Sequence, residues 1–126
     1  MADNTSGLLA DRRVLVTGAA SGIGKAVVAA CERAGADTIP VDLHGDGRIT
    51  RCDVRSEDEV TSLFAQAGRQ ATDVVHCAGI ASTAPIEQAS LEHWQSIIDT
   101  NLTGSFLVGR EFARTREDFR CRVGPF

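Results

Sequence analysis

Val14-Leu15-Val16 is a short unbroken apolar run that stops at Thr17-Gly18, the pattern of a strand buried on both faces. From Gly22 the period changes. Ile23, Val27, Ala30, Cys31 and Ala34 fall on one face at helical spacing, and Gly35 stands where a helix would stop. A second strand is predicted over Asp37–Asp42, with Ile39 and Val41 as its apolar members; Pro40 is awkward there because it lacks a ladder donor. Gly45-Asp46-Gly47 reads as a turn and Arg48–Asp53 as a short third strand. Ser56-Glu57-Asp58-Glu59 has the form of a capping box, in which Ser56 and Glu59 reciprocally satisfy free backbone N–H groups. The helix it opens shows Val60, Leu63, Phe64 and Ala67 on one face and stops at Gly68. Asp73–Cys77 reads as a fourth buried strand, ending at Ala78-Gly79. After a loop around Pro85, Ser90 is expected to cap a helical stretch whose apolar face holds Trp94, Ile97, Ile98, Leu102, Phe106 and Phe112.

Strands alternating with helices predict an α/β fold, a doubly wound parallel sheet with right-handed crossovers. About four strands plus a following helix are expected; the family resemblance given below implies that such a sheet is incomplete. Residues 1–114 read as one domain, whereas Thr115–Phe126 follow neither period and form an atypical tail. At 126 residues, 43% hydrophobic and 24% charged, the chain has an ordinary globular composition with room for a single domain. The formal charge of −4 argues against a nucleic-acid or anionic-membrane surface, both of which need clustered basic excess. No apolar run approaches the roughly 18 residues of a membrane span. Met1–Asp11 is polar and lacks the charged-then-apolar layout of a signal, so a cytoplasmic protein is expected. Cys31, Cys52, Cys77 and Cys121 lie 21, 25 and 44 residues apart, too far for chelating pairs, so no metal site is expected, and Cys31, Cys52 and Cys77, in apolar helix or strand patterns, read as reduced thiols buried as small apolar groups. His44 and His93, in a turn and near a helix start, read as surface residues.

Thr17-Gly18-Ala19-Ala20-Ser21-Gly22-Ile23-Gly24 lies between the first strand and the first helix. A helix start offers unpaired N–H groups and about half a positive charge, which attract a diphosphate, and glycines allow turning and close approach. A plain structural turn is the competing reading. A P-loop is excluded, because Lys25 lies seven positions beyond Gly18 and precedes Ala26. The spacing is also not Gly-x-Gly-x-x-Gly but Gly-x-x-x-Gly-x-Gly.

That spacing resembles the short-chain dehydrogenase/reductase family, and further matches follow in order. Asp42 ends the second strand, 24 residues after Gly18; Asp53-Val54 ends the third; Cys77-Ala78-Gly79 ends the fourth, where the family usually has Asn-Ala-Gly; Asp99-Thr100-Asn101-Leu102-Thr103-Gly104 matches an Asn-containing segment of the next helix. The resemblance spans roughly residues 10–114. It implies the N-terminal, cofactor-binding half of a Rossmann-like oxidoreductase that transfers hydride between NAD(H) and an alcohol or carbonyl substrate. Gly18, Ser21, Gly22, Ile23 and Gly24 would cradle the diphosphate, Asp42 the adenosine ribose, and Asp53 with Val54 the adenine. Ala78 and Gly79 would let the cofactor pass close to the backbone. Asp42 repels a 2′-phosphate, and Ala20, Ser21 and Leu43 offer no offsetting cation, so NAD is expected over NADP.

The family's acid/base chemistry needs a Tyr with a Lys four residues later, a Ser and an Asn. This chain has no tyrosine, and its one lysine, Lys25, belongs to the glycine loop. Only Asn101 can be matched, either as part of a proton relay or as a helix-kink residue bonding backbone. The chain alone is therefore expected to be inactive, and the odd tail suggests a truncated or frame-shifted product. A non-catalytic nucleotide-binding or interaction module is the alternative, and a misfolded fragment a third. The resemblance also implies self-association, a homo-oligomer through the 90–114 helix, which here would lack part of its cover.

Overall fold

The structure, a computed structural model, describes residues 7–116. Among these, β1 (Arg13–Thr17), β2 (Asp37–Asp42), β3 (Thr50–Arg51) and β4 (Asp73–His76) form one parallel sheet in the order β3-β2-β1-β4. The helices are α1 (Gly22–Arg33), α2 (Glu57–Gln66), α3 (Leu91–Ile98) and α4 (Gly104–Thr115), the last two joined by a π-helical segment, Asp99–Thr103. The doubly wound parallel α/β sheet is as expected, and it carries four strands.

The unbroken apolar run of β1 is explained by its place between two cores. Leu15 points into a cluster with Val60, Leu63 and Phe64 of α2 and Leu107 and Val108 of α4. Val14 and Val16 point the other way, to Val28 of α1 and Ala36. One strand serves both layers because its side chains alternate with period two. Val74 and Val75 of β4 divide the same way, although β4 is the sheet edge and stays half-buried rather than fully buried.

Pro40 is tolerated inside β2 for a directional reason. The Val41 carbonyl accepts from Ala19 on the β1 side, and that of Asp42 from Cys52 on the β3 side. Alternation therefore aims the missing Pro40 donor at the β3 flank, where the ladder pairs only Val41 and Asp42.

Four expectations need correction. The third strand is two residues long, not the six of Arg48–Asp53. The Asp46 carboxylate accepts from the amides of Arg48 and Ile49, holding them in a turn, and the Glu59 carboxylate takes the Asp53 amide at 2.8 Å. The capping box is half made: Glu59 N–H donates to Ser56 Oγ at 3.3 Å, but the Glu59 carboxylate reaches past Ser56 to Asp53, and Ser56 N–H donates to the Asp53 carbonyl. The last helical region buries only part of the face predicted for it: Phe112 packs against the core and Ile97 and Ile98 are half-buried. Trp94, Leu102 and Phe106 are 58%, 64% and 60% exposed, while Gly104, Leu107, Val108 and Glu111 face the core. The π segment re-phases the chain between α3 and α4, so a stripe extrapolated at 3.6 residues per turn misses part of the buried side. Lack of cover over that stripe was expected and is found. His93 is also not a surface residue in full, since its Nε2 is buried with no partner among the described residues. α4 continues through Thr115, and the remaining tail from 117 lies outside the described residues.

Candidate functional site

Beyond the carboxyl ends of the strands lies a cavity of about 480 Å³. It opens where the sheet order reverses, between the loop after β1 and the loop after β4, the usual ligand crevice of open α/β sheets. The loop after β1 is shaped by contact. Gly18 has φ +68°, and a Cβ there would stand 2.8 Å from the Ala78 nitrogen; a Cβ on Gly24 would stand 2.0 Å from the Gly18 carbonyl oxygen. The chain thus folds onto itself at both glycines, which no side chain would permit. Gly22 opens α1, and space rather than protein lies beside its α-carbon. Ser21 precedes the helix in an extended conformation without a side-chain capping bond, so the first-turn amides are uncapped where they meet the cavity.

Asp42 closes the second wall. One of its oxygens accepts from Ala20 N–H at 3.0 Å and the other from His44 N–H at 3.1 Å, which binds the glycine loop to the end of β2. At the far end stand Cys52, Asp53, Val54 and Arg55. The Arg55 guanidinium grips both Asp53 oxygens, at 2.7 Å and 2.9 Å, and holds the carboxyl below its usual pKa. Burial pushes the Cys52 thiol up to about 11, as fits an inert buried thiol. The Val54 side chain is buried against Gly104, so this residue meets the cavity through its backbone.

The third wall is the β4 exit. Thr17, fully buried, accepts at Oγ1 from the amides of Cys77 and Ala78, both at 3.2 Å, and lies 2.7 Å from His76 Nδ1. With both lone pairs engaged, the hydroxyl proton goes to Nδ1, which assigns the remaining imidazole proton to Nε2. That nitrogen is buried without a partner among the described residues, and desolvation holds His76 below its ordinary pKa.

All ten sequence-predicted cofactor residues, from Gly18 through Gly79, line this one cavity. Asn101 does not. Its amide spans Ile80, Oδ1 accepting from Ile80 N–H at 2.9 Å and Nδ2 donating to the Ile80 carbonyl at 2.8 Å. It thereby fastens the π segment to the β4 exit, while the neighbouring Thr100 and Ile80 reach the cavity. Three residues of consequence escaped the sequence reading as site members: Thr17, His76 and Arg55. Only Thr17 carried a signal, as a polar residue closing an apolar strand.

The sequence profile of the short chain dehydrogenase family matches residues 12–120. The chain belongs to that family. Among curated members it is 38% identical over 114 residues to D-threitol dehydrogenase of Mycolicibacterium smegmatis, a match over 75% of this chain and 43% of that protein. The ligand-free aldohexose dehydrogenase of Thermoplasma acidophilum superposes with a TM-score of 0.74 at 32% identity, over 88% of this chain and 48% of that one. A short chain dehydrogenase from Mycobacterium smegmatis superposes with a TM-score of 0.78 at 28% identity, covering 86% and 53%. The chain spans less than half the length of the curated relatives it matches. The family implies a nicotinamide cofactor, and the cavity fits one: uncapped helix amides for a diphosphate, glycines at the closest approaches, and a carboxylate on the rim. Among the described residues no helix is long and apolar enough to cross a membrane.

Proposed function

We propose that this chain is the NAD-binding half of a short chain dehydrogenase acting on an alcohol or the corresponding carbonyl. The observation that carries the choice of NAD is Asp42, anchored on the cavity wall by two backbone amides. A fixed carboxylate accepts from ribose hydroxyls and opposes a 2′-phosphate; each pair of unit charges ~4 Å apart costs about 1 kcal/mol in water and about 4 at an effective dielectric of 20. The cavity's arginine, Arg55, is engaged with Asp53 and offers no free compensation. When bound, the nicotinamide supplies or accepts hydride. The residues of this chain bind and orient: the Gly18–Gly24 loop holds the diphosphate, Asp42 the ribose, Asp53 and Val54 the adenine, and Ala78 with Gly79 the passage along β4. Asn101 positions that passage by clamping Ile80. The substrate class is supported by relatives whose names specify D-threitol and aldohexose.

No tyrosine occurs, and Lys25 is the one lysine, so the proton-transfer pair of the whole enzyme is not in these residues. That favours a second reading, a nucleotide-binding module without turnover of its own. Calorimetric titration with NAD and NADP is the test. We expect NAD to bind more tightly, and Asp42→Ala to shrink that preference about fivefold or more, the equivalent of about 1 kcal/mol of removed repulsion. NADP binding more tightly than NAD would reverse the assignment.

A further inference from the structure

His76 is a titratable side chain with no part in holding a coenzyme, yet it is bonded to the atom that sets the cavity's third wall. Thr17 Oγ1 accepts from the amides of Cys77 and Ala78, both at 3.2 Å, and lies 2.7 Å from His76 Nδ1. Cys77 and Ala78 line the cavity. They sit so close to the glycine loop that a Cβ on Gly18 would stand 2.8 Å from the Cys77 carbonyl carbon and the Ala78 nitrogen. This seam keeps its width while one hydroxyl accepts two amides and donates to a neutral imidazole. A proton on Nδ1 brings a third donor to an oxygen whose two lone pairs are taken. The opposite ring nitrogen gives no relief, because Nε2 is buried without a partner among the described residues.

Neighbouring charges do not offset an imidazolium there. Of the strand and helix packed on β4, β1 has Arg13 at its far end, and in α4 Glu111 accepts from Arg110 and Arg114 at 2.9 Å and 2.7 Å. Asp99 of the π segment is taken by Gln95 at 2.8 Å, and the adjoining Cys77 side chain packs on the other face of the sheet with Val16 and Val28. Burial lowers the His76 pKa from its ordinary 6.5.

We propose that the Thr17–His76 bond is a proton switch on the crevice: neutral His76 holds the β4 exit against the glycine loop, and a proton taken from solvent frees that exit and expels an adenine dinucleotide while the chain stays folded. This rests on the nucleotide reading above and adds a control to it. The affinity is complete above the ordinary histidine value and is lost as pH falls through the lower, folded one. Linkage makes the effect reciprocal, so bound NAD lowers the His76 pKa further.

The experiment is calorimetric titration with NAD in steps from about pH 7.5 to about pH 5, the range in which histidine changes charge. NAD is the probe because its diphosphate and adenine hold their charge throughout. In the wild type the dissociation constant rises by up to about tenfold for each pH unit below the His76 pKa, the limit set by one proton. In His76→Asn, whose amide can take the Thr17 proton without titrating, it stays level. His44→Gln, which removes the histidine lining the cavity, keeps the wild-type slope. A wild-type slope in His76→Asn overturns the proposal, as does a slope abolished by His44→Gln. Loss of affinity that coincides with loss of the circular dichroism signal overturns it too, since the switch works in a folded chain. Should His76→Asn fail to fold, the imidazole proton resonances of the wild type decide, and a His76 pKa unmoved by NAD overturns the proposal. Wild-type chain that does not bind NAD even at the upper end of the range defeats the nucleotide reading itself, and this inference with it; binding that ignores pH defeats this inference only.

Discussion

Thr17 joins the end of β1 to the first two residues after β4, and the hydroxyl proton it gives to His76 makes the imidazole's neutral form part of the fold. Protonation at Nδ1 would set a third donor against an oxygen already accepting two. Burial lowers the His76 pKa from the ordinary value of 6.5, so the unfolded chain takes up the proton first. The stability this residue contributes is complete above that value and is lost as pH falls from it toward the folded pKa. Between about pH 7.5 and about pH 5.5 the thermal midpoint should therefore fall further in the wild type than in His76→Asn, whose amide can still bond Thr17 but does not titrate. Equal falls would show that other groups dominate. Such residue-scale features divide cleanly by legibility. The glycine spacing and Asp42 could be read because their roles are local, a turn and a strand end. The Thr17–His76 bond could not, since it depends on β4 lying beside β1, a neighbour 59 residues away.

At the scale of elements, α2 shows how a helix is started locally and held by tertiary contact. Ser56 caps it with one bond, and Phe64, 1% exposed, fixes it in the core, its ring 6.4 Å from that of Phe112 of α4. Ser56→Ala should cost about 1 kcal/mol and Phe64→Ala about 3–5 kcal/mol in chemical denaturation. A larger loss for the cap than for the ring would refute that order. The core face of α2 was plain in the sequence because Val60, Leu63 and Phe64 keep one helical period throughout. The α3–α4 region was misread for the opposite reason. The Asp99–Thr103 segment changes the number of residues per turn. Asn101, readable as a helix-kink residue bonding backbone, lies within it and bonds the Ile80 backbone, but its presence does not give the new phase. The tight seat of Gly104, where a Cβ would meet Val54 Cγ2 at 2.9 Å, shows which side α4 had to present. β3 was overread because turn bonds to Asp46 and the Glu59 carboxylate claim amides that a six-residue strand would have given to the ladder.

On the scale of the whole molecule, β3 and β4 are the two edges of the described sheet, and neither strand is fully buried. Leu91, Trp94, Leu102 and Phe106 stand 79%, 58%, 64% and 60% exposed along α3, the π segment and α4. Isolated apolar side chains on a surface are ordinary, but four large ones exposed within sixteen residues leave much apolar area in water. We expect concentration-dependent self-association in analytical ultracentrifugation, reduced by Leu102→Ser with Phe106→Ser while the far-ultraviolet spectrum is kept. A double variant that associates as before would place the contact elsewhere.

The order of the strands also bears on when the crevice can exist during synthesis. Its glycine loop and Asp42 are complete within the first 42 residues, yet the opposite wall is Cys77–Ile80, delivered by β4. A nascent chain stalled near its midpoint would hold the whole diphosphate fingerprint and still have half a mouth. Competence to take up the coenzyme would then arrive abruptly on the ribosome, when β4 docks beside β1 and Thr17 finds the two amides it is waiting for.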